Sequence, residues 1–300
     1  MGKVDILIPC YNSSSTLNKT LDSILNQSYT SYRVLLIDNC STDNSVEVFN
    51  KVKDARFSLK IHNEHLNLGG NLNRCISYAT EKYFCIMHAD DEYHKNYLSE
   101  MVDFLEANDD ISLLHCSSNI INSNSRKIYS LKNCFKNLNN LKGQSVYSGY
   151  SGLLWISKFN KIMAPSVMYR SAFFCNKLFF DPNLKFTLDW DFYFRSLING
   201  VKICKLNKPL LNYRVHPQQQ TSKLMISMEK YHEIVNLLIK IKIYLGAPSL
   251  PFNNHVAFIF FYLTMISDAS RDVFTFKFSH ALNKINFLTN VIKSNQSGTI

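Results

Sequence analysis

Two adjacent carboxylates, Asp90 and Asp91, sit in the stretch IMHADDEYH directly after the apolar run YFCIM, with His88 just ahead of them. A short apolar run that ends in paired acids reads as a buried strand delivering charge to one edge of a sheet. Carboxylate oxygens are hard donors of the kind that hold Mg2+ or Mn2+. Taken alone, the same pair also reads as a turn with a helix cap before EYHKNYL. What separates the two readings is what else arrives at that edge.

The surrounding elements supply the answer. VDILIP is a short β-rich run, followed by a Ser cluster and a helix whose Leu17, Leu21, Ile24 and Leu25 share one face. YRVLLID is a second strand, followed by a helix with Val46, Phe49 and Val52 inward, and SLKIHN is a third. A helix with Leu72, Cys75, Ile76 and Ala79 at helical spacing leads to the fourth strand, KYFCIMH. A helix carrying Leu98, Met101, Val102 and Leu105 then precedes the strand ISLLHCSS. Repeated strand–helix alternation implies an α/β fold with a mostly parallel sheet covered by helices. The stretch Asn119–Gly149 reads as loops around one short strand, and APSVMYR as a further strand. DWDFYFRSLING reads as a helix stopped by Gly200, and VKICKL and LLNYRVH as two strands. From about Ser222 the pattern is helical, with a break at GAPSLP.

In an open parallel sheet, ligands bind beyond the carboxyl ends of the strands. Three strands end in polar clusters, PCYN after the first, DNCSTDN after the second and HADD after the fourth, and parallel strands bring all three to one edge. These segments, with NLGGNLNRCISYA and DWDFYFRSL, follow in an order and at distances that resemble the glycosyltransferases of family 2, which have the GT-A fold. The resemblance covers roughly residues 4–216. It implies a Rossmann-type sheet and transfer of a sugar from a nucleotide diphosphate donor, UDP or dTDP favoured, with inversion at the anomeric carbon. It also implies a glycosyltransferase domain over residues 1–220, with a nucleotide-binding half to about 118 and an acceptor half from 119, then a helical C-terminal region over 221–300.

The resemblance assigns roles residue by residue. Pro9, Tyr11 and Asn12 stand where the family holds the nucleoside, and Asp38 where a carboxylate accepts from a base N–H; Asp38 otherwise reads as a helix cap. Asn67, Gly69 and Gly70 precede a helix start suited to phosphate or ribose, with Asn73 and Arg74 on the helix itself. Asp90 takes the place of the metal ligand for Mn2+ or Mg2+ and contacts the donor through it, with Asp91 as its neighbour; His88 stands where the family's DxD element has its leading Asp. LDWDF resembles the family's acidic element, which makes Asp189 the base and Asp191 the alternative, with Leu188 where Glu is usual. On a helix the two aspartates point in different directions, so they do not share one role. YRVHPQQQTS resembles the later Tyr-Arg-x-His segment, with His216 as a metal or diphosphate ligand and Arg214 in support. Trp155 falls in the acceptor region and suits either a sugar ring or the core.

Composition narrows the partners. Of 300 residues, 46% are hydrophobic and 19% charged, which describes a globular chain and not a disordered one. Thirty-three basic against 23 acidic residues suit a phosphate-bearing ligand or an anionic membrane surface. No RNP-like motif, zinc spacing or basic helix points to nucleic acid. Eight cysteines, spread singly, suit a reduced cytoplasmic protein, and the N-terminus does not read as a signal peptide. HVAFIFFYLTMIS is shorter than the roughly 20 residues of a membrane span; an interfacial helix at the cytoplasmic face of the inner membrane, a packed helix and a homo-oligomer contact all suit it. The expected acceptor is a saccharide or lipid-linked saccharide of a bacterial surface polysaccharide. A catalytically silent nucleotide-sugar binder or assembly subunit is the alternative, since His88 and Leu188 depart from the family pattern.

Overall fold

The computed structural model describes residues 2–128, 145–175, 177–216, 219, 228–246, 265–266 and 278–296. Four parallel strands lie in the order β3 (Phe57–Ile61), β2 (Tyr32–Asp38), β1 (Val4–Cys10) and β4 (Tyr83–Ile86). Alternation along β1 divides its side chains between two cores. Ile6, Ile8 and Cys10 face a layer that includes Leu17, Leu21 and Ile24 of α1 (Ser14–Leu25), Val48 and Phe49 of α2 (Ser45–Asn50), and Leu98, Met101, Val102 and Leu105 of α4 (Tyr97–Ala107). Leu7 faces the other core, with Leu72, Cys75 and Ile76 of α3 (Leu68–Ser77). With both faces covered, the central strands are nearly continuous apolar runs.

Beyond β4 the sheet becomes mixed. β8 (Val167–Arg170) runs antiparallel to both β4 and β6 (Leu113–Ile121), and β6 pairs in parallel with β9 (Ile203–Arg214). The two-residue strand β5 (Glu92–Tyr93), immediately after the Asp90–Asp91 pair, joins β9 antiparallel at Leu211 and Asn212, and β7 (Ser145–Tyr147) pairs with the start of β9. VKICKL and LLNYRVH, read from sequence as two strands, form this one twelve-residue strand. Pro209 sits opposite Ser117, where the β6–β9 register shifts, so the proline's missing N–H falls at an irregularity of the ladder. Of the stretch Asn119–Gly149, read as loops around one short strand, the described residues form the end of β6, a turn closed by the Ile121–Lys127 bridge, β7 and the start of the next helix, while 129–144 lie outside the described residues.

After β7 come α5 (Gly149–Ile156), a 3-10 turn (Ala164–Ser166), β8, a short α6 (Ser171–Phe174) and α7 (Leu188–Ile198). Gly200, with φ +79°, ends α7 as expected. Two C-terminal helices follow, α8 (Glu229–Tyr244) and α9 (Phe278–Gln296), and Tyr231, Val235, Leu238 and Ile241 of α8 enter the same core as α7. Most of HVAFIFFYLTMIS and of the GAPSLP break lies outside the described residues, as does the start of the helical pattern at Ser222. Among the described residues no helix is long and apolar enough to cross a membrane, and the seven described cysteines are free thiols.

One buried carboxylate joins the parallel strands. Asp5 on β1 is fully buried, pairs with Arg33 of β2, and accepts from the N–H groups of Thr80 and Glu81 at 2.7 and 3.0 Å in the turn before β4. Asp5→Ala leaves the two N–H donors without their acceptor, while Arg33, partly exposed, keeps the Tyr78 carbonyl and the Thr80 hydroxyl, a loss of about 1–3 kcal/mol for donors left unsatisfied. Equilibrium urea unfolding of the variant is expected to show a midpoint lowered accordingly, with the slope unchanged.

Candidate active site

The loop after β4 is held from two sides. On one, Thr16 and Thr20, one turn apart on α1, donate their hydroxyls to the carbonyls of Ala89 and Asp91 at 3.0 and 2.8 Å. On the other stands Arg214, at the end of β9 and fully buried. Its backbone N–H donates to Asp91 Oδ1 at 2.8 Å and its Nε to the Asp90 carbonyl at 2.7 Å. Its Nη1 reaches the carbonyls of Asn122 and Ser123 at 2.8 and 3.1 Å, and its Nη2 pairs with Glu92. The guanidinium therefore satisfies its fork on backbone and carboxylate oxygens contributed by two loops.

The loop so held presents His88, Asp90 and Asp91 with ligand atoms within 4.8 Å of one another. Asp91 is buried, and its Oδ2 has no hydrogen-bond partner; burial, and then the charge of Asp90, push its carboxyl well above the usual range. Burial pushes the His88 imidazole down, toward the neutral form that ligates metals. His216 Nε2 lies 3.1 Å from Asp90 Oδ2, and Gln219 donates to the same oxygen at 3.4 Å. A divalent cation fits this set: it offsets the repulsion between the two carboxylates and gives the orphaned Asp91 oxygen a partner.

The ends of β1, β2 and β3 build the next part of the edge. Asp38 is buried; its Oδ2 accepts from Ser41 N at 3.0 Å, while its Oδ1 has no partner. The helix-capping role falls to Asp43, which accepts from Ser14 N of α1 and Ser45 N of α2. Asn12 takes a left-handed conformation, φ 49°, and its Oδ1 accepts from Thr42 N at 2.8 Å, joining the loop after β1 to that after β2. Tyr11, exposed, packs on His65 with ring centroids 4.5 Å apart. Asn39 bonds Leu66 through both ends of its amide and also accepts from Arg74 Nη1 at 3.1 Å. Pro9 is part of β1 itself, paired with Ile37.

Several expected contacts belong instead to the packing of α3. Asn67 caps that helix, its Oδ1 accepting from Gly70 N at 2.9 Å while its Nδ2 donates to Pro182 O at 2.8 Å. A Cβ on Gly69 would lie 2.8 Å from Pro182 Cα, so the glycine admits a neighbouring backbone. Asn73 bonds the Phe180 main chain at both ends, at 2.8 and 2.7 Å. The side chains of Asn67 and Asn73, expected to meet the donor, thus also bond the 180–184 loop. Arg74 supports Asn39 and the Glu64 carbonyl.

The same loop leads into α7. Glu233 of α8 accepts from the N–H groups of Lys185, Phe186 and Thr187, covering the start of the helix from outside. Asp189, in the first turn, accepts from Asn160 Nδ2 and Trp190 N, both at 2.9 Å, and burial raises its carboxyl to about 6. Asp191 is buried against Arg195 at 2.7 Å, with Lys240 at 3.9 Å. That pairing already matches the charge of Asp191, the alternative base. Trp155, half-buried, stacks on Tyr147 with centroids 3.9 Å apart. His65, Asn39, Asn160 and Glu233 were not singled out from sequence, because each acts through a residue distant in the chain.

A parallel half-sheet with polar loops at one edge, continued by a mixed half-sheet, is the GT-A arrangement of nucleotide-sugar-dependent transferases. The family model for Glycosyl transferase family 2 matches residues 5–162, more than half of the 300-residue chain, and the chain belongs to that family. It is 22% identical over 246 residues to the poly(ribitol-phosphate) beta-N-acetylglucosaminyltransferase TarS of Staphylococcus aureus, a match covering 79% of this chain and 40% of TarS. It is 29% identical over 106 residues to the UDP-Glc:alpha-D-GlcNAc-diphosphoundecaprenol beta-1,3-glucosyltransferase WfaP of Escherichia coli, covering 35% of this chain and 42% of WfaP. The fold is shared with TarS 1–349 in complex with UDP-GlcNAc, at a TM-score of 0.62 and 17% identity over 99% of this chain and 92% of that one. It is also shared with a Pyrobaculum calidifontis mannosyltransferase in complex with GDP-Man and Mn2+, at 0.61 and 13% over 96% and 84%. The protein is a glycosyltransferase.

Arg214→Met is expected to cost about 3–5 kcal/mol, because it strands Glu92 and the carbonyls of the 88–92 and 122–125 loops. Urea unfolding measures the loss, and Arg214→Lys is expected to recover only a minor part of it, since an ammonium cannot fill the fork.

Proposed function

We propose that the chain is an inverting glycosyltransferase that takes a sugar from a UDP- or dTDP-sugar and places it on a saccharide acceptor of a bacterial surface polysaccharide. The observation that carries this reading is the cluster of His88, Asp90 and Asp91, with the buried, unpartnered Asp91 Oδ2, on the sheet edge that also bears the unpartnered Asp38 Oδ1. A buried carboxylate oxygen accepts a ring N–H. Uracil, thymine and guanine have one at the pairing edge and cytosine does not, and the UDP and UDP-GlcNAc complexes of TarS favour the first two. Tyr11 and Asn12 flank the nucleoside, with His65 behind the Tyr11 ring.

His88, Asp90 and His216 hold the cation, with Asp91 beside them, and the imidazoles favour Mn2+ over Mg2+. When bound, the cation neutralises charge that develops on the diphosphate as the glycosidic bond breaks. Asp189 takes the proton of the acceptor hydroxyl as that oxygen bonds to the anomeric carbon and the bond to the diphosphate breaks. A single base serves an inverting displacement, and a carboxyl near 6 is charged at neutral pH yet basic enough to accept the proton. Asn160 and the Trp190 N–H orient it.

A melting panel of UDP, dTDP, GDP and CDP, each with and without Mn2+, tests the donor site. At about 100 times its dissociation constant a ligand stabilises by about 2.7 kcal/mol. UDP or dTDP is expected to raise the melting temperature and to do so more with Mn2+, while CDP does not; a shift only with CDP would sink the Asp38 assignment.

Asp189→Asn is expected to lower kcat by about 100-fold or more with the nucleotide-dependent melting shift intact. Because burial raises the Asp189 carboxyl, the base is protonated and idle below about pH 6 and active above it. The rate–pH profile should therefore rise through that value and level off. A profile flat between pH 5 and 8 would remove Asp189 from the role.

A further inference from the structure

A second polar cluster lies beside Asp189, where β7, α5 and the loop after it meet β6 and β9. Tyr147 and Trp155 form a stacked shelf with 16° between their planes. Lys161 Nζ lies 5.4 Å from the centre of the Trp155 ring and 4.7 Å from that of Phe159. His115 and Lys205 are register partners in the parallel β6–β9 pair, so both side chains leave the same face of the sheet. The His115 ring is 6.4 Å from Trp155, and its Nε2 is buried without a hydrogen-bond partner.

Like charges have been gathered here at a cost. Burial, and then the charges of Lys158 and Lys205, push the Lys161 ammonium down from the ordinary lysine range, and burial does the same to Lys205. Lys205 adds to the burial that drives the His115 imidazole to about 3, which leaves it neutral. An anion seated among the lysines relieves the repulsion. Asn160, between Phe159 and Lys161 in sequence, bonds Asp189 Oδ2, so Lys161 is one residue from the amide that bonds Asp189. The stretch is anchored as well: Trp190 Nε1 donates to the Ile156 carbonyl at 2.8 Å, and a Cβ on Gly152 would lie 2.8 Å from Leu197.

We propose that Lys158, Lys161 and Lys205, beside the Tyr147–Trp155 shelf, form a subsite for a phosphate group borne by the acceptor saccharide, the shelf taking a sugar face and the ammonium groups the phosphate. Lysine suits this as a point charge that tolerates several phosphate orientations. The inference rests on the reading of Asp189 as the base, since that is what puts the acceptor at this loop. Two sources carry the same chemistry: the diphosphate that joins a saccharide to a lipid, and the phosphodiester of a polyol-phosphate polymer.

The test is calorimetric binding of three probes to the full chain, with Mn2+ and the nucleotide identified by the melting panel. The probes are a disaccharide-diphosphate-lipid analogue with a short lipid, a polyol-phosphate oligomer and an uncharged disaccharide. One phosphorylated probe is expected to bind about tenfold or more tighter than the uncharged one, and which one does so names the source. The double variant K158Q/K161Q is expected to abolish that preference while the nucleotide melting shift stays as in the wild type. K161R is expected to retain the preference. Equal affinity for charged and uncharged probes, or a preference indifferent to the double variant, overturns the subsite while leaving the donor site standing. A wild-type chain whose melting ignores every nucleotide overturns both.

Discussion

Burying a guanidinium costs several kcal/mol unless its donors are met, and the candidate site is organised around one that is met completely enough to be buried. Arg214 ends β9, and the groups that satisfy it lie in the loop after β4 and in the turn after β6. Those segments are far apart in sequence, yet none can shift without stranding a charge. The consequence is a loop in which Asp90 and Asp91 remain side by side although they repel. The backbone carbonyls of the loop are held by Arg214 on one side and by the α1 threonines on the other, which leaves the carboxylate oxygens facing the edge.

A similar logic sets the second half of the site. The start of α7 is covered by Glu233 from α8, its tryptophan is tied to the end of α5, and its Asp189 is oriented by Asn160. Three elements thereby fix one carboxylate in surroundings that withhold water from it, and the raised affinity for a proton follows from that burial. Two residues along the same helix, Asp191 is matched by Arg195 and keeps its charge for structure. Two residues of helix therefore separate a carboxylate held by an amide from one matched by a guanidinium, and the difference is made by partners, not by residue type.

The periodic signals in the sequence carried the first half of the fold well. The four parallel strands, their helices and the inward residues Leu17, Leu21, Leu72, Ile76, Leu98 and Met101 follow from alternation and helical spacing, because that half is built from consecutive units. The second half was harder to read because its pairings are long-range and mixed in direction; β9 survives a proline that looks like a strand boundary because the ladder is already irregular there. At the site, the acids could be found as local clusters. For Asn67 and Asn73 the sequence cannot separate two roles: amides at a glycine-rich helix start look the same whether they face a ligand or bond a loop such as 180–184. Arg214 was marked by its local Tyr-Arg-x-His pattern, whereas Asn39, Asn160 and Glu233 leave no local pattern, since each is defined by what it meets across the fold.

The two departures from the family pattern have physical counterparts in the structure. Leu188, where Glu is usual, is buried and lies 3.2 Å from where a Cβ would stand on Gly69, so that position closes α7 against α3. A carboxylate there would be desolvated without a cation to meet it. At the other departure, His88 puts a ligand that is neutral when buried where a third acid would otherwise crowd Asp90 and Asp91. Three carboxylates within 5 Å depend on a cation for their stability; two carboxylates and a neutral imidazole depend on it less, and hold it through softer donors. The replacement thus lowers the negative charge gathered in a loop that Arg214 and the α1 threonines hold in place. The same exchange, charge for packing or neutrality, describes both positions: Leu188 is buried between α7 and α3, and His88 stands beside two carboxylates in place of a third.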